Sequence, residues 1–310
     1  MENKSLRNAY AQALIELAAE NKDIVVLEAD LGKSTMSCLF QDAFPERYFE
    51  MGIAEQNMAS TAAGLAIAGK IPFINSFAVF ATGRAYDQIR QGICIAKLNV
   101  KICGSSAGLS DYGDGSTHQS VEDVAIMRAI PNMTVLVPCD AVETKKMVNA
   151  MVMNKGPMYL RINRNDLPIL TREDEEFKIG KLYTIREGKD VVVFANGIMV
   201  SKALEAAILL EKEGISVKVV NASTVKPLEK EAVMQACKGC KGIVAAEEHS
   251  IIGGLGSAIL EALRGERDFP VEMVGIQDKF GTSACNYDDL LEYYGLTTAN
   301  IVNSIRKLAF

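Results

Sequence analysis

The sequence has no cluster of lysine and arginine, and its 310 residues carry a net charge of −6. Proteins grip a phosphate backbone with a concentrated basic face, so nucleic acid is excluded as a partner. No apolar run approaches the roughly 20 residues that cross a bilayer. The opening stretch, residues 1–14, enters a helix-like pattern with no apolar signal core. These absences lead to the expectation of a cytoplasmic chain with no membrane partner. Cysteine is present but does not suit a disulfide framework. Seven is an odd number, and Cys94, Cys103 and Cys139 lie in apolar segments. Cys237-Lys238-Gly239-Cys240 has the spacing of half a zinc site, but no second such pair and no His pair completes four ligands. It reads as a helix end carrying two incidental thiols. Only two histidines occur, His118 and His249. There is no P-loop and no nucleophile elbow.

What is present is the balance of a globular enzyme, 49% apolar and 23% charged, at a length of about two domains of roughly 150 residues. Short β-rich runs alternate with amphipathic helices. The spacing predicts strands at Ile24–Glu28, Pro72–Ser76, Val100–Gly104, Thr134–Pro138 and Met158–Ile162. A second series follows at Val191–Ala195, Ser216–Asn221, Gly242–Glu247 and Val271–Ile276. Most are continuous apolar runs, as in sheets covered on both faces. One helix pattern has Val200, Ala203, Leu204, Ala207 and Ile208 on a single face and stops at Gly214; another has Leu255, Ile259 and Leu263. The fold class is therefore α/β, with two open, mostly parallel sheets and helices on both faces. A polar, charged stretch, residues 171–188, separates the series. It sets a first domain at 1–175, a linker at 176–187 and a second domain at 188–310.

Ligands bind beyond the carboxyl ends of parallel strands, so the informative residues should follow the strand runs. They do: residues 29–34, Asn75-Ser76-Phe77, residues 105–118 and residues 161–164. His118 sits in a Gly-rich polar loop, where a catalytic role and a loop-packing role are equally open. His249 reads as a structural hydrogen-bonding residue at a domain face. Glu55 opens an apolar helix, where a carboxylate is ordinarily favourable dipole chemistry. The alternative is a carboxyl walled by Met51, Ile53 and Met58 and so able to exchange a proton near neutrality. The run Gly253-Gly254-Leu255-Gly256 is a weak phosphate-turn signal that close helix–strand packing explains equally well.

Three stretches carry a resemblance: residues 47–58, which hold Gly52-Ile53-Ala54-Glu55; residues 74–80; and Gly113-Asp114-Gly115-Ser116-Thr117-His118-Gln119. Together with residues 128–138, Arg164-Asn165-Asp166-Leu167-Pro168, Glu247-Glu248-His249 and Gly253–Gly256, they span nearly the whole chain. The chain resembles the pyrimidine-binding and C-terminal domains of transketolase. The resemblance implies a thiamine diphosphate enzyme that moves a two-carbon ketol unit from a ketose, a sugar phosphate, to an aldose. Glu55 matches the glutamate that contacts the aminopyrimidine nitrogen, Phe77 and Phe80 match aromatics packed on that ring, and Asp30 matches an aspartate near the cofactor. Asp114 and His118 match residues that bind the sugar's hydroxyls and carbonyl region. Arg7, Ser34 and Arg164 match positions that hold the terminal phosphate, a dianion that two guanidinium groups and a hydroxyl suit.

Gly113-Asp114-Gly115 is not read as the family's Mg²⁺–diphosphate signature, because no Asn follows at the required distance. The resemblance therefore implies that Mg²⁺ and the diphosphate are held by a separate N-terminal subunit carrying the GDG…N motif. The chain would be the C-terminal subunit of a split transketolase, self-associating to an α2β2 assembly. Three positions depart from the family pattern: Ser106 near an expected His, Gly83 near an expected Tyr, and Ser116 for a Pro. They raise the prospect of an atypical sugar, branched, deoxy or sulfonated. The alternatives are the beta subunit of a 2-oxo acid dehydrogenase's decarboxylating component, which Asp87-Gln88-Ile89-Arg90 also resembles, and a non-catalytic assembly subunit.

Overall fold

The structure, a computed structural model, describes residues 2–266 and 269–309. In chain order the first half carries β1 (Asn3–Ser5), β2 (Ile24–Glu28), β3 (Tyr48–Glu50), β4 (Ile71–Phe77), β5 (Lys101–Ser105), β6 (Thr134–Leu136), β7 (Met158–Arg161) and β8 (Asp166–Pro168). The second half carries β9 (Tyr183–Arg186), β10 (Val191–Ala195), β11 (Val217–Asn221), β12 (Thr224–Lys226), β13 (Gly242–Ser250) and β14 (Val271–Ile276). β2 and β10 are mostly apolar, and every residue in both is buried, the Glu28 that ends β2 included. Their side chains alternate between two cores. Ile24 and Val26 enter one, and Val25 and Leu27 the other. Both cores also take residues of β10, so the two halves share their interior.

The larger sheet has the order β12-β6-β7-β5-β4-β2-β3, and the smaller β14-β13-β10-β11-β9. All pairings are parallel except those of the edge strands β12 with β6 and β9 with β11. The α/β class with two mainly parallel sheets is therefore present. Three details differ from the sequence expectation. The stretch 176–187 is not only a polar connection: it contains β9, and Phe177 stacks on Tyr183 at 6.0 Å. β12, from the second half, completes the first half's sheet. Helix Met199–Glu211 also turns a different face inward. Val200, Ala203 and Ala207 are buried as expected, but Ala206 and Leu210 complete the stripe and Ile208 faces solvent.

The halves are joined by buried polar contacts as well as by apolar packing. Arg161, the last residue of β7, donates from Nε to Asp123 Oδ2 at 2.8 Å and from an Nη to the Glu248 carbonyl at 2.9 Å. Tyr159 donates to the same Asp123 oxygen at 2.7 Å. Burial alone would push the Asp123 carboxyl up, but Arg161 holds it below its usual value. His249 sits at the same seam: Ala125 N–H donates to its Nε2 at 3.3 Å, and its Nδ1 meets the Ser250 carbonyl at 2.7 Å. Replacing one member of a buried ion pair strands the other. Arg161→Met is expected to cost about 3–5 kcal/mol of unfolding free energy, measured as a lowered urea midpoint. A loss below about 1 kcal/mol would put this pair in the class of exposed ones.

Candidate active site

A two-stranded ribbon brings two arginines together. β1 and β8 pair antiparallel with Ser5 opposite Asp166. Arg7 lies two residues beyond Ser5, and Arg164 two residues before Asp166. The Ser5 hydroxyl accepts from Asn8 N–H and caps helix Leu6–Glu20, which fixes where Arg7 leaves the helix. Arg7 donates to the Ser34 carbonyl at 2.6 Å, and its buried Nε has no hydrogen-bond partner. Arg164 reaches Asp111 Oδ2 at 3.2 Å and Ser106 Oγ at 3.4 Å. Burial, and then repulsion from Arg164, lowers the Arg7 pKa. Two cations close enough to repel, one with a buried unused donor, form a site that an anion would complete.

An aromatic wall adjoins them. Phe77 ends β4, and Phe80 opens the π-helical turn Phe80–Arg84. Their rings lie nearly parallel, 6.2 Å apart. The His118 ring meets Phe80 edge-on at 5.3 Å and Phe77 at 6.2 Å, and its Nδ1 is 3.0 Å from Thr117 Oγ1. Arg164 lies over Phe77, 5.8 Å from its centroid. On the far side, Arg84 lies 4.7 Å over Phe80 and donates from one nitrogen to both Glu55 oxygens, at 2.7 and 2.8 Å. Glu55 opens helix Glu55–Ile67 and is only 1% exposed, whereas the Arg84 side chain is 45% exposed. The expected apolar wall is thus incomplete. Met58 is buried, but Ile53 is 74% exposed, and the contact that holds the carboxylate is an ion pair.

Residues 2–169 match the family model "Transketolase, pyrimidine binding domain", and residues 180–301 match "Transketolase, C-terminal domain". The chain belongs to the transketolase family. A Methanocaldococcus jannaschii protein, whose name marks it as a candidate transketolase C-terminal section, is 43% identical over 98% of this chain and 96% of its own. A 6-deoxy-6-sulfo-D-fructose transketolase subunit of a Clostridium species is 41% identical over 99% of this chain and 95% of its own. The solved structure of a split-gene transketolase, an inactive beta4 tetramer, superposes with a TM-score of 0.90 at 47% identity and 99% coverage of both chains.

Among the transketolase-matched residues, Arg7, Arg164, Phe77, Phe80, His118 and Glu55 form one connected surface. Ser34 joins it through its carbonyl rather than its hydroxyl. Asp30 and Asp114 are exposed, and among the described residues no hydrogen bond or ion pair ties either carboxylate to the others. Asp30 holds a left-handed backbone, φ 60°, and its N–H donates to Glu50. Sequence reasoning missed Asp111 and Arg84. Arg84 stands one turn beyond Phe80, the only local sign that it could reach the same wall. Of the departures, Ser106 joins Arg164, whereas Gly83 faces open space. The Gly253–Gly256 run is no phosphate turn, because the Glu247 carboxylate already takes the Leu255 and Gly256 amides at 2.7 and 2.9 Å. A Cβ on Gly254 would lie 2.1 Å from that carboxylate. Cys237 ends helix Lys230–Cys237, and both thiols of the pair are buried. No group of three or more His, Cys, Asp or Glu capable of holding a metal occurs among the described residues.

Beneath the loop that carries Asp30 and Ser34 lies a buried acid. Glu28 ends β2 and accepts from Thr35 and Ser37 hydroxyls at 2.6 Å each and from Ala29 N–H at 3.0 Å. Burial raises its pKa to about 7 against these stabilising bonds. Such a group adds stability that is complete below 4.5 and is lost as pH rises through about 7. The stability of Glu28→Gln relative to wild type should therefore improve by on the order of 2 kcal/mol between pH 5 and 8, read by thermal unfolding. A difference independent of pH would contradict this titration.

Proposed function

We propose that this chain is the C-terminal subunit of a split thiamine diphosphate-dependent transketolase that transfers a two-carbon ketol unit from a ketose bearing a terminal anion to an aldose. The observation that carries the reading is the paired Arg7 and Arg164 beside His118, with the unused Arg7 Nε. A terminal phosphate or sulfonate would take that donor and relieve the repulsion between the two guanidinium groups. His118, held against Phe77 and Phe80, would then meet the sugar's oxygens.

The residues present fit the pyrimidine end of thiamine diphosphate. Phe77 and Phe80 offer a stacked aromatic surface, and Glu55 a buried carboxylate at its edge. When bound, the cofactor supplies the nucleophilic carbon for carbon–carbon bond chemistry. Glu55 would hydrogen-bond a ring nitrogen and exchange a proton there, in place of Arg84. Arg84 approaches from the surface, so it can leave towards water without unfolding anything. The diphosphate and Mg²⁺ would be held by an N-terminal subunit with the GDG…N motif, in an α2β2 assembly. The relative named for 6-deoxy-6-sulfo-D-fructose, and the Ser106 hydroxyl on Arg164, favour a sugar whose anion is not restricted to phosphate. Seven unpaired cysteines support a reducing, cytoplasmic setting.

Two measurements test the reading. Native mass spectrometry of the chain recovered with thiamine diphosphate and Mg²⁺ should give a heterotetramer with a GDG…N subunit; a homo-oligomer without cofactor would refute it. In the reconstituted enzyme, Arg164→Ala should raise the donor KM about 10- to 100-fold for anionic ketoses, the worth of a charge-assisted hydrogen bond, and little for neutral ones. Equal losses on both would remove the anion role.

A further inference from the structure

The loop that carries Asp111, Asp114 and His118 is held by the second half of the molecule. Its neck is closed by Gly108 N–H donating to the Ser120 carbonyl at 2.9 Å. Ala284 N–H donates to the Tyr112 carbonyl at 2.9 Å, and Gln119, beside the neck, donates to the Thr282 carbonyl at 3.0 Å. Its base rests on Glu248 of β13, a fully buried acid whose Oε1 accepts from Leu109 N–H at 2.7 Å. Gly108 has φ 65°, and a Cβ there would lie 2.5 Å from Glu248 Oε1, so the backbone comes this close only as glycine. The other oxygen, Oε2, accepts from Asn163 Nδ2 at 3.0 Å. Asn163 is the neighbour of Arg164, and its own Oδ1 accepts from Asn165 N–H at 2.8 Å. One carboxylate therefore spans the base of the His118 loop and the turn that carries Arg164.

We propose that Glu248 is a positioning residue: its carboxylate, alongside the direct bonds from Arg164 N–H and Asn165 Nδ2 to Ser110, holds the base of the His118 loop against the turn that carries Arg164. The donor set demands an acid. Leu109 N–H, Asn163 Nδ2 and the Tyr287 hydroxyl all converge on it, and only a carboxylate accepts at both ends. A glutamine would turn an N–H towards the Asn163 amide. The charged and titratable groups around it are Arg161, paired with Asp123, and Tyr287. Burial raises the Glu248 pKa to about 7, with Arg161 opposing. Its ionised form thus costs stability above pH 7 while holding the loop. Opening the loop exposes the acid and returns its pKa towards 4.5, so the neutral form favours the closed loop and ionisation on rising pH loosens it.

The effect on donor binding rests on the transketolase reading; the coupling of loop to acid does not. Hydrogen exchange of the full chain tests the coupling alone. In wild type, protection of residues 107–120, corrected for intrinsic exchange, should fall as pH rises through about 7. Glu248→Gln should remove that pH dependence, and Glu248→Ala should speed loop exchange about tenfold, with β13 residues 242–246 unchanged. In the reconstituted enzyme, both variants should raise donor KM about tenfold and change kcat little. Loop protection that is flat with pH in wild type, or unaltered in both variants, would overturn the proposal, as would a variant whose exchange rises across the whole chain. A wild-type holoenzyme without ketol transfer would instead refute the function and leave the exchange result standing.

Discussion

The structure turns on one ion pair that lies buried between its two halves. Arg161 and Asp123 are both buried, and neither can be charged there without the other. The pair does not sit alone. Arg161 also donates to carbonyls of Ser120 and Glu248, and Tyr159 supports Asp123. Those partners belong to the end of the His118 loop, a helix start and the second sheet. Each must occupy one position for the charge to be satisfied. Apolar packing across the seam would tolerate sliding; this set of directed bonds does not.

The candidate site is built on the opposite principle. Charge there is deliberately unfinished. Arg7 carries an unused buried donor next to a second cation, and Glu55 is neutralised by an arginine that reaches it from solvent. The rigid seam and the unfinished site meet at Glu248, one residue from His249 and in contact with the loop itself.

The legible parts of the fold were those written as local pattern. β2, β10 and β14 coincide with the runs read from the sequence, and β2 and β10, buried along their whole length, need no partner to be recognised. β1, β3, β8 and β12 are three residues each and exist only through pairing with distant strands, which no local window contains. The same division holds at the site. Glu55, Phe77, Phe80 and His118 lie in motifs, and the structure brings them to one wall. Arg84 was not legible, because 29 positions separate it from Glu55. Glu247 and Glu248 look alike as adjacent acids, yet alternation along β13 sends one to a helix start and the other to the loop.

The crossing of β12 into the first sheet has a consequence for taking the molecule apart. The two family matches end and begin between residues 169 and 180, which invites a cut there. A fragment ending at that cut would keep β6 but lose the strand that covers it. Its bare edge would offer unpaired amides and carbonyls to any neighbouring chain, the usual template for edge-to-edge aggregation. The boundary that divides the sequence into homologous segments is therefore not the boundary along which the protein can be separated into soluble pieces.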